Sequence, residues 1–124
     1  MIPRFRAWDK EFKEMVQVDA LVFEEQIIKV TYKNGNVVKE DLKNYVLMQS
    51  TGLKDKNGKE IFEGDIIDST DGFITGVVEF REALGMFISD LVEYNNFERL
   101  CNVASSRKII GNIWEHPELA EASS

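Results

Sequence analysis

Asp65, Asp68 and Asp71 lie within one seven-residue stretch, and carboxylates so spaced could do two kinds of chemistry. Their hard oxygens suit Mg²⁺, and a bound cation turns water into a nucleophile. Two carboxylates pushed together also split their pKa values, leaving one as acid and the other as base. A divalent-cation-dependent hydrolase is the enzyme this set would build. The plainer expectation is stronger, because Asp favours turns and 22 Asp+Glu among 124 residues produce such clusters by composition. A second oxygen-rich run, Asp55-Lys56-Asn57-Gly58, looks like part of a calcium loop. Its register fails: with Gly58 sixth, Leu53 falls first and Gly64 twelfth, where an opening carboxylate and a bidentate Glu are needed. That run reads as a turn.

The remaining reactive side chains are few. One His, His116, cannot supply a multi-His metal site, and no acid and nucleophile set surrounds it; it is expected to be a surface residue. One Cys, Cys101, excludes an internal disulfide and is expected to be a small buried hydrophobe. No Gly-rich phosphate loop, paired-Cys motif or Gly-x-Ser-x-Gly elbow is present. The expectation is a chain without catalytic residues, metal or cofactor.

Charge narrows the partners. The formal net charge is −7, which works against broad binding to nucleic-acid phosphates. Residues 1–62 carry eleven Lys+Arg and ten Asp+Glu, net +1, whereas residues 63–124 carry four and twelve, net −8. With so few cations in the second half, the aromatics are expected in the core and not as a base-stacking platform. Trp8 and Trp114 are read as packing residues. The charge split suggests a head-to-tail homo-oligomer closing into a ring, with Arg4, Arg6, Lys10 and Lys13 near an open sheet edge. It also suggests an alternative, an acidic decoy that occupies a host DNA-binding protein.

These residues must be positioned by strands. Residues 28–33 alternate apolar and polar side chains, as a strand with one face on a core requires. Asn34-Gly35 follows, and a type I′ turn is expected there, with residues 36–39 returning antiparallel. Asn57-Gly58 and Asp71-Gly72 mark further reversals. Residues 73–80 are apolar on both phases and suggest a strand buried on both faces or bent at Gly76; residues 108–114 form a last strand. Helix is scarce. Residues 39–44 allow one turn and residues 116–122 a terminal turn begun by Pro117, with Ser123 and Ser124 fraying. Leu91, Tyr94, Phe97 and Leu100 recur at spacing three, leaving residues 91–104 open between helix and loop. The longest apolar runs, such as residues 45–48, fall far short of the roughly 20 residues that span a bilayer. The opening residues lack the apolar core of a signal peptide. A cytoplasmic protein is expected.

The run Leu47-Met48-Gln49-Ser50-Thr51-Gly52-Leu53-Lys54-Asp55-Lys56-Asn57-Gly58-Lys59-Glu60-Ile61-Phe62-Glu63-Gly64-Asp65-Ile66 closely resembles the YopX family of bacteriophage and prophage proteins. The opening Phe5-Arg6-Ala7-Trp8-Asp9 with Met15 and Val16, and the closing block from Ile110 through Gly111, Asn112, Trp114 and Pro117 to Leu119, agree in order over nearly the whole chain. An aromatic is usual in the family where Ser50 stands, and Asn where His116 stands. The resemblance implies a phage or prophage gene in a bacterial cytoplasm and a β-rich fold with a barrel-like C-terminal part. It implies no established activity and no catalytic residue. The matched block has a structural reading of its own. Gly52, Gly58 and Gly64 can take backbone angles closed to other residues, and Gln49, Thr51 and Asp65 can bond the backbone of tight turns. Trp8, Gln49, Thr51, Gly52, Asp55, Gly58, Gly64, Asp65, Gly111, Asn112, Trp114 and Pro117 are thus read as structural motif residues.

The expected fold is mainly β (α+β), with little helix and one folding unit. An antiparallel N-terminal β meander covers residues 1–50, a glycine-punctuated crossover residues 51–64, and a small SH3-like β-barrel with a short C-terminal helical turn residues 65–124. The expected function is a non-enzymatic, oligomeric binding or assembly module. A host or phage protein would be its partner, with no nucleic acid and no membrane.

Overall fold

The computed structural model describes residues 4–122, so the expected fraying of Ser123 and Ser124 lies outside the described residues. The protein is mainly β with little helix, as expected, and its strands pair antiparallel throughout. The chain forms two compact units, Met1–Gln49 and Ser50–Ser124.

In the first unit, β1 (Phe5–Asp9), β2 (Glu14–Val22), β3 (Ile27–Thr31), β4 (Val37–Asp41) and the start of β5 (Tyr45–Lys54) form a sheet in the order β4-β3-β2-β1-β5. Register explains its core. Ala7 stands opposite Val16 and Leu47, and Val30 opposite Val18 and Val38. One phase of every strand therefore falls on one face, where Ala7, Val16, Ile28, Val30 and Tyr45 pack together. Trp8, on the other phase of β1, is also buried. Residues 39–44 end β4 and make a 3₁₀ turn, Leu42–Asn44, whose first amides are capped when Lys43 N–H donates to Asp41 Oδ1 at 3.0 Å.

The hairpin at Asn34-Gly35 forms, but its turn is not type I′. That turn needs positive φ at both central residues, and among the described non-glycine residues only Lys13 and Gln26 have it. Gly35 N–H donates to Tyr32 C=O and Tyr32 N–H to Asn36 C=O, both at 2.9 Å, with Gly35 at φ 91°. A type I turn over residues 32–35 is thus closed by a left-handed glycine bulge. Asn34 Oδ1 rewards this geometry by accepting from Asn36 N–H at 2.9 Å. The Asn57-Gly58 turn is built alike, with Gly58 N–H on Asp55 C=O and Asp55 N–H on Lys59 C=O.

In the second unit the end of β5 pairs with β6 (Glu60–Phe62). Beyond them β7 (Asp65–Ser69), β8 (Thr75–Arg81), β9 (Met86–Leu91), β10 (Phe97–Arg99) and β11 (Arg107–Asn112) form a sheet in the order β10-β9-β8-β7-β11. Ile61, Ile67, Val78, Leu100 and Ala104 make its core. No ladder closes this sheet among the described residues, so a closed barrel is not found. β10 is three residues long and runs straight into α1 (Leu100–Val103), leaving little strand to pair further. The spacing-three residues are resolved the same way: Leu91 ends β9, Tyr94 sits in the turn, Phe97 begins β10, and only Leu100 is helical.

Cys101 is exposed, contrary to expectation. The buried inner positions of this segment are Leu100 and Ala104, four apart, so the residue after Leu100 is turned outward. Gly76 keeps an unbroken register with both neighbouring strands and admits Ser89, whose Oγ would collide with a Cβ there. β8 starts at Thr75, and Phe73 stands in the preceding turn, 76% exposed. The last strand ends at Asn112, with a bulge between Ile109 and Gly111.

Candidate functional site

The inward phase of β3, Ile28 and Val30, continues into Tyr32 just past the strand, an apolar stripe that ends in a hydroxyl. A buried Tyr hydroxyl seeks a partner, and Tyr32 has two. It donates to Asp9 Oδ2 at 2.5 Å, and its oxygen lies 2.7 Å from the Tyr45 hydroxyl, which in turn donates to Glu40 Oε2 at 3.1 Å. Asp9, 2% exposed, uses Oδ1 to accept from Glu11 and Phe12 N–H, fixing the β1–β2 turn. A polar relay of three contacts sharing two phenolic protons thus links a buried carboxylate to Glu40 on β4. Burial is the main cause that pushes both tyrosines above their ordinary range, and the neighbouring Asp9 carboxylate adds to it for Tyr32. Both stay protonated as donors.

Beside this relay opens a cleft of about 490 Å³ lined by Phe12, Glu14, Tyr32, Asn34, Asn36, Val38 and Glu40. Its walls offer carboxylates, amides, one hydroxyl and an exposed Phe12 ring, and none of them is basic. Volumes of this order hold small ligands or single side chains. The sequence reading missed this cleft. Its one signal was a Tyr on the core phase of an alternating strand, which demands a buried polar partner that spacing alone does not name.

The family block is placed differently. Asp55 is buried, and both its oxygens are engaged: Oδ1 accepts from Asn57 N–H at 2.9 Å and Lys59 N–H at 2.8 Å, and Oδ2 from Ile109 N–H at 3.0 Å. Burial works against its charge, yet the three amides outweigh this and hold its carboxyl below the usual range. Asp55 thereby ties the turn to β11, and Lys56 N–H repeats the tie on Arg107 C=O at 2.7 Å. Thr51 Oγ1 donates to Ile61 C=O at 2.7 Å and accepts from Leu53 N–H, holding the β5–β6 irregularity at Gly52. Ser50 donates to Glu60 and accepts from Gly52 N–H. Gln49 is exposed opposite Phe5. Gly64, at φ 85°, donates to Val78 C=O and accepts from Ile113 N–H.

The three aspartates are not brought together. Asp65 Oδ2 accepts from Phe62 N–H at 2.8 Å, Asp68 Oδ1 from the Thr75 hydroxyl at 3.0 Å, and Asp71 Oδ1 from the Ser69 hydroxyl at 2.5 Å and Phe73 N–H. The Ser69 hydroxyl, then the Phe73 amide, holds the fully exposed Asp71 carboxyl below its usual range. Among the described residues no group of three His, Cys, Asp or Glu side chains is placed to hold a metal ion.

His116 is not a free surface residue. Its Nδ1 accepts from Asn112 N–H at 3.3 Å, and the ring lies over Gly111, where a Cβ would come within 2.6 Å of Nδ1. Asn112 fastens the same turn, accepting from Trp114 and Glu115 N–H through Oδ1 and donating from Nδ2 to Glu115 Oε1. Trp114 is half-buried, and Pro117 starts a 3₁₀ turn, Pro117–Ala120.

An open meander with a concave polar cleft, joined in sequence to a second antiparallel sheet braced by buried turn carboxylates, defines an all-antiparallel β protein of two small units. The YopX protein family model matches residues 4–121, and the chain belongs to that family. It is similar to protein EF1440 from Enterococcus faecalis, at 31% identity and TM-score 0.69, covering 98% of this chain and 99% of that one. It shares the fold of protein YopX from Bacillus subtilis, at 22% identity and TM-score 0.57, covering 93% and 95% of the two chains. The search of curated proteins finds no match. No described helix is long and apolar enough to cross a membrane.

Proposed function

We propose that the chain is a non-enzymatic binding or assembly module, encoded by a phage or prophage and acting in the bacterial cytoplasm as a homo-oligomer. One observation carries this reading. The carboxylates that could do chemistry are engaged by nearby amides and hydroxyls, while the cleft on the first unit is left open. The second unit is read as an SH3-like small barrel completed by side chains. Its last strand, β11, returns beside its first, β7. The two edges of the sheet are clamped where Arg107 of β11 holds Glu98 of β10 through two bonds of 2.9 and 3.3 Å. Affinity capture of the full chain from infected cells, with light scattering behind a sizing column, tests the function. Retained phage or host protein, or a defined oligomer, supports it. A monomer at high concentration with nothing retained overturns it. A rise in melting temperature with Mg²⁺ or Mn²⁺ would favour the hydrolase instead.

The acidic-decoy reading has its own observation. Residues 50–124 carry seven Lys+Arg and fourteen Asp+Glu, net −7, while residues 1–49 carry eight of each. A decoy must displace DNA from a host protein in a competition assay.

A further inference from the structure

The free edge of the first sheet borders the cleft, and the two features make demands that one ligand can meet. Tyr32 N–H donates to Asn36 C=O and Leu42 N–H to Gln26 C=O, and the β3–β4 register between them is unbroken. Ladder bonds alternate by two, so residues 36, 38, 40 and 42 turn their backbone groups to β3. Val37, Lys39 and Asp41 turn theirs outward, and all three residues are exposed. β4 carries charges at Lys39, Glu40 and Asp41 but has neither bulge nor Pro, and Val37 is 53% exposed. The side chains of Val38 and Glu40, on the other phase, line the cleft.

The chemistry of the cleft selects the side chain that enters it. Glu14 spends Oε2 on Lys33 N–H, and Glu40 spends Oε2 on the Tyr45 hydroxyl; each keeps a second carboxylate oxygen for an incoming donor. Asn34, Asn36 and Tyr32 add acceptor oxygens, and Phe12 adds an exposed ring face that attracts a cation. Two carboxylates with no basic lining repel phosphate and carboxylate ligands. The net −7 of the molecule adds long-range attraction for a basic partner.

We propose that an extended segment of a partner protein adds to β4 as a further strand and lays a Lys or Arg side chain into the cleft. Backbone bonds to Val37, Lys39 and Asp41 supply affinity, and the cleft selects the basic residue. This deepens the reading of the chain as a binding module and rests on it.

Fluorescence anisotropy with the full chain tests the proposal, using a labelled, end-blocked peptide of alternating Val and Lys. Three relatives of the peptide are compared: Lys replaced by norleucine, Lys replaced by Glu, and the Lys form with alternate backbone amides methylated. The Lys peptide is expected to bind. Norleucine weakens it by roughly tenfold or more, Glu abolishes it, and amide methylation, which leaves charge unchanged, abolishes it as well. Glu14→Gln with Glu40→Gln weakens the Lys peptide alone, whereas Glu118→Gln with Glu121→Gln, two exposed acids of the second unit, does not. No binding at millimolar peptide overturns the proposal. So does indifference to methylation, or equal loss from the two double variants. If Glu14→Gln with Glu40→Gln does not fold, the three peptide relatives decide on the native chain. Loss of partner capture with the peptide still binding removes the assembly reading and leaves the cleft; the reverse removes the cleft alone.

Discussion

At the scale of single residues, the buried aspartates Asp9, Asp55 and Asp65 act as acceptors for backbone amides. Asp55 is the clearest case, because its second oxygen reaches across 54 positions of sequence to Ile109 N–H. Replacing it with Asn keeps the size and one acceptor oxygen but points an NH₂ at a donor. A buried group left unsatisfied costs about 1–3 kcal/mol, so Asp55→Asn should lower the urea midpoint accordingly at pH 7. The pH dependence has a definite sign. The folded-state pKa of Asp55 is lowered, so its stabilisation is full above the unfolded value of about 3.9 and is lost as pH falls through the lower folded value. The wild type should therefore lose stability below about pH 4 more steeply than Asp55→Asn. Parallel acid limbs in urea titrations would remove the role assigned to this carboxylate. Spacing analysis read the Asp55 run as a turn, which it is, but its contact with β11 is a long-range event that no local pattern contains. The relay of Asp9, Tyr32, Tyr45 and Glu40 was illegible for the same reason: its members come from four different strands or turns.

At the scale of elements, alternation made the strands legible, and turn chemistry was read only in part. Asn-Gly correctly marked the hairpin, yet dipeptide identity does not distinguish a two-residue I′ turn from a type I turn closed by a glycine bulge. The bulge gives Gly35 alone the left-handed angle, φ 91°, and a Cβ there would have open space around it. Gly35→Val should then cost about 1–3 kcal/mol through backbone strain alone, while Asn34→Gly should cost less, since it removes one exposed bond from Asn36 N–H and strains no backbone. A large loss at Asn34 with none at Gly35, measured by denaturant midpoints, would contradict this turn. Gly111 makes the opposite demand, one of space. A Cβ there meets His116 at Nδ1, and also at its Cβ at 3.2 Å, which rotamer changes cannot relieve. Gly111→Ala should destabilise the chain, and His116→Ala should recover part of that loss. Additive effects in the double-mutant cycle would show that the two positions are not in contact. Cys101 was misread because its burial depends on helical phase, which four helical residues do not reveal in sequence.

At the scale of the whole molecule, the oligomer question turns on which force dominates between copies. The unit boundary at Gln49 changes the charge arithmetic. Residues 1–49 carry eight cations and eight anions, net zero, and residues 50–124 seven and fourteen, net −7. A neutral unit has no net charge with which to hold an acidic one, so the attraction implied by a +1 and −8 split weakens. What the surface offers instead is apolar. Phe12, Phe23 and Phe73 stand 68%, 58% and 76% exposed, each in a turn between strands, and exposed apolar area of this kind favours association. Copies carrying −7 each repel one another. Added salt screens that repulsion, since the screening length falls from about 10 Å at 0.1 M to about 3 Å at 1 M. An assembly held by apolar contacts should therefore tighten, with its midpoint moving to lower protein concentration in 1 M salt. One held by exposed ion pairs should loosen. Light scattering across a dilution series at both salt levels separates the two. Tightening in high salt, followed by its loss in Phe12→Ser or Phe73→Ser, would identify the contact by the side chains that make it. A monomer at every concentration in both salts would end the oligomer.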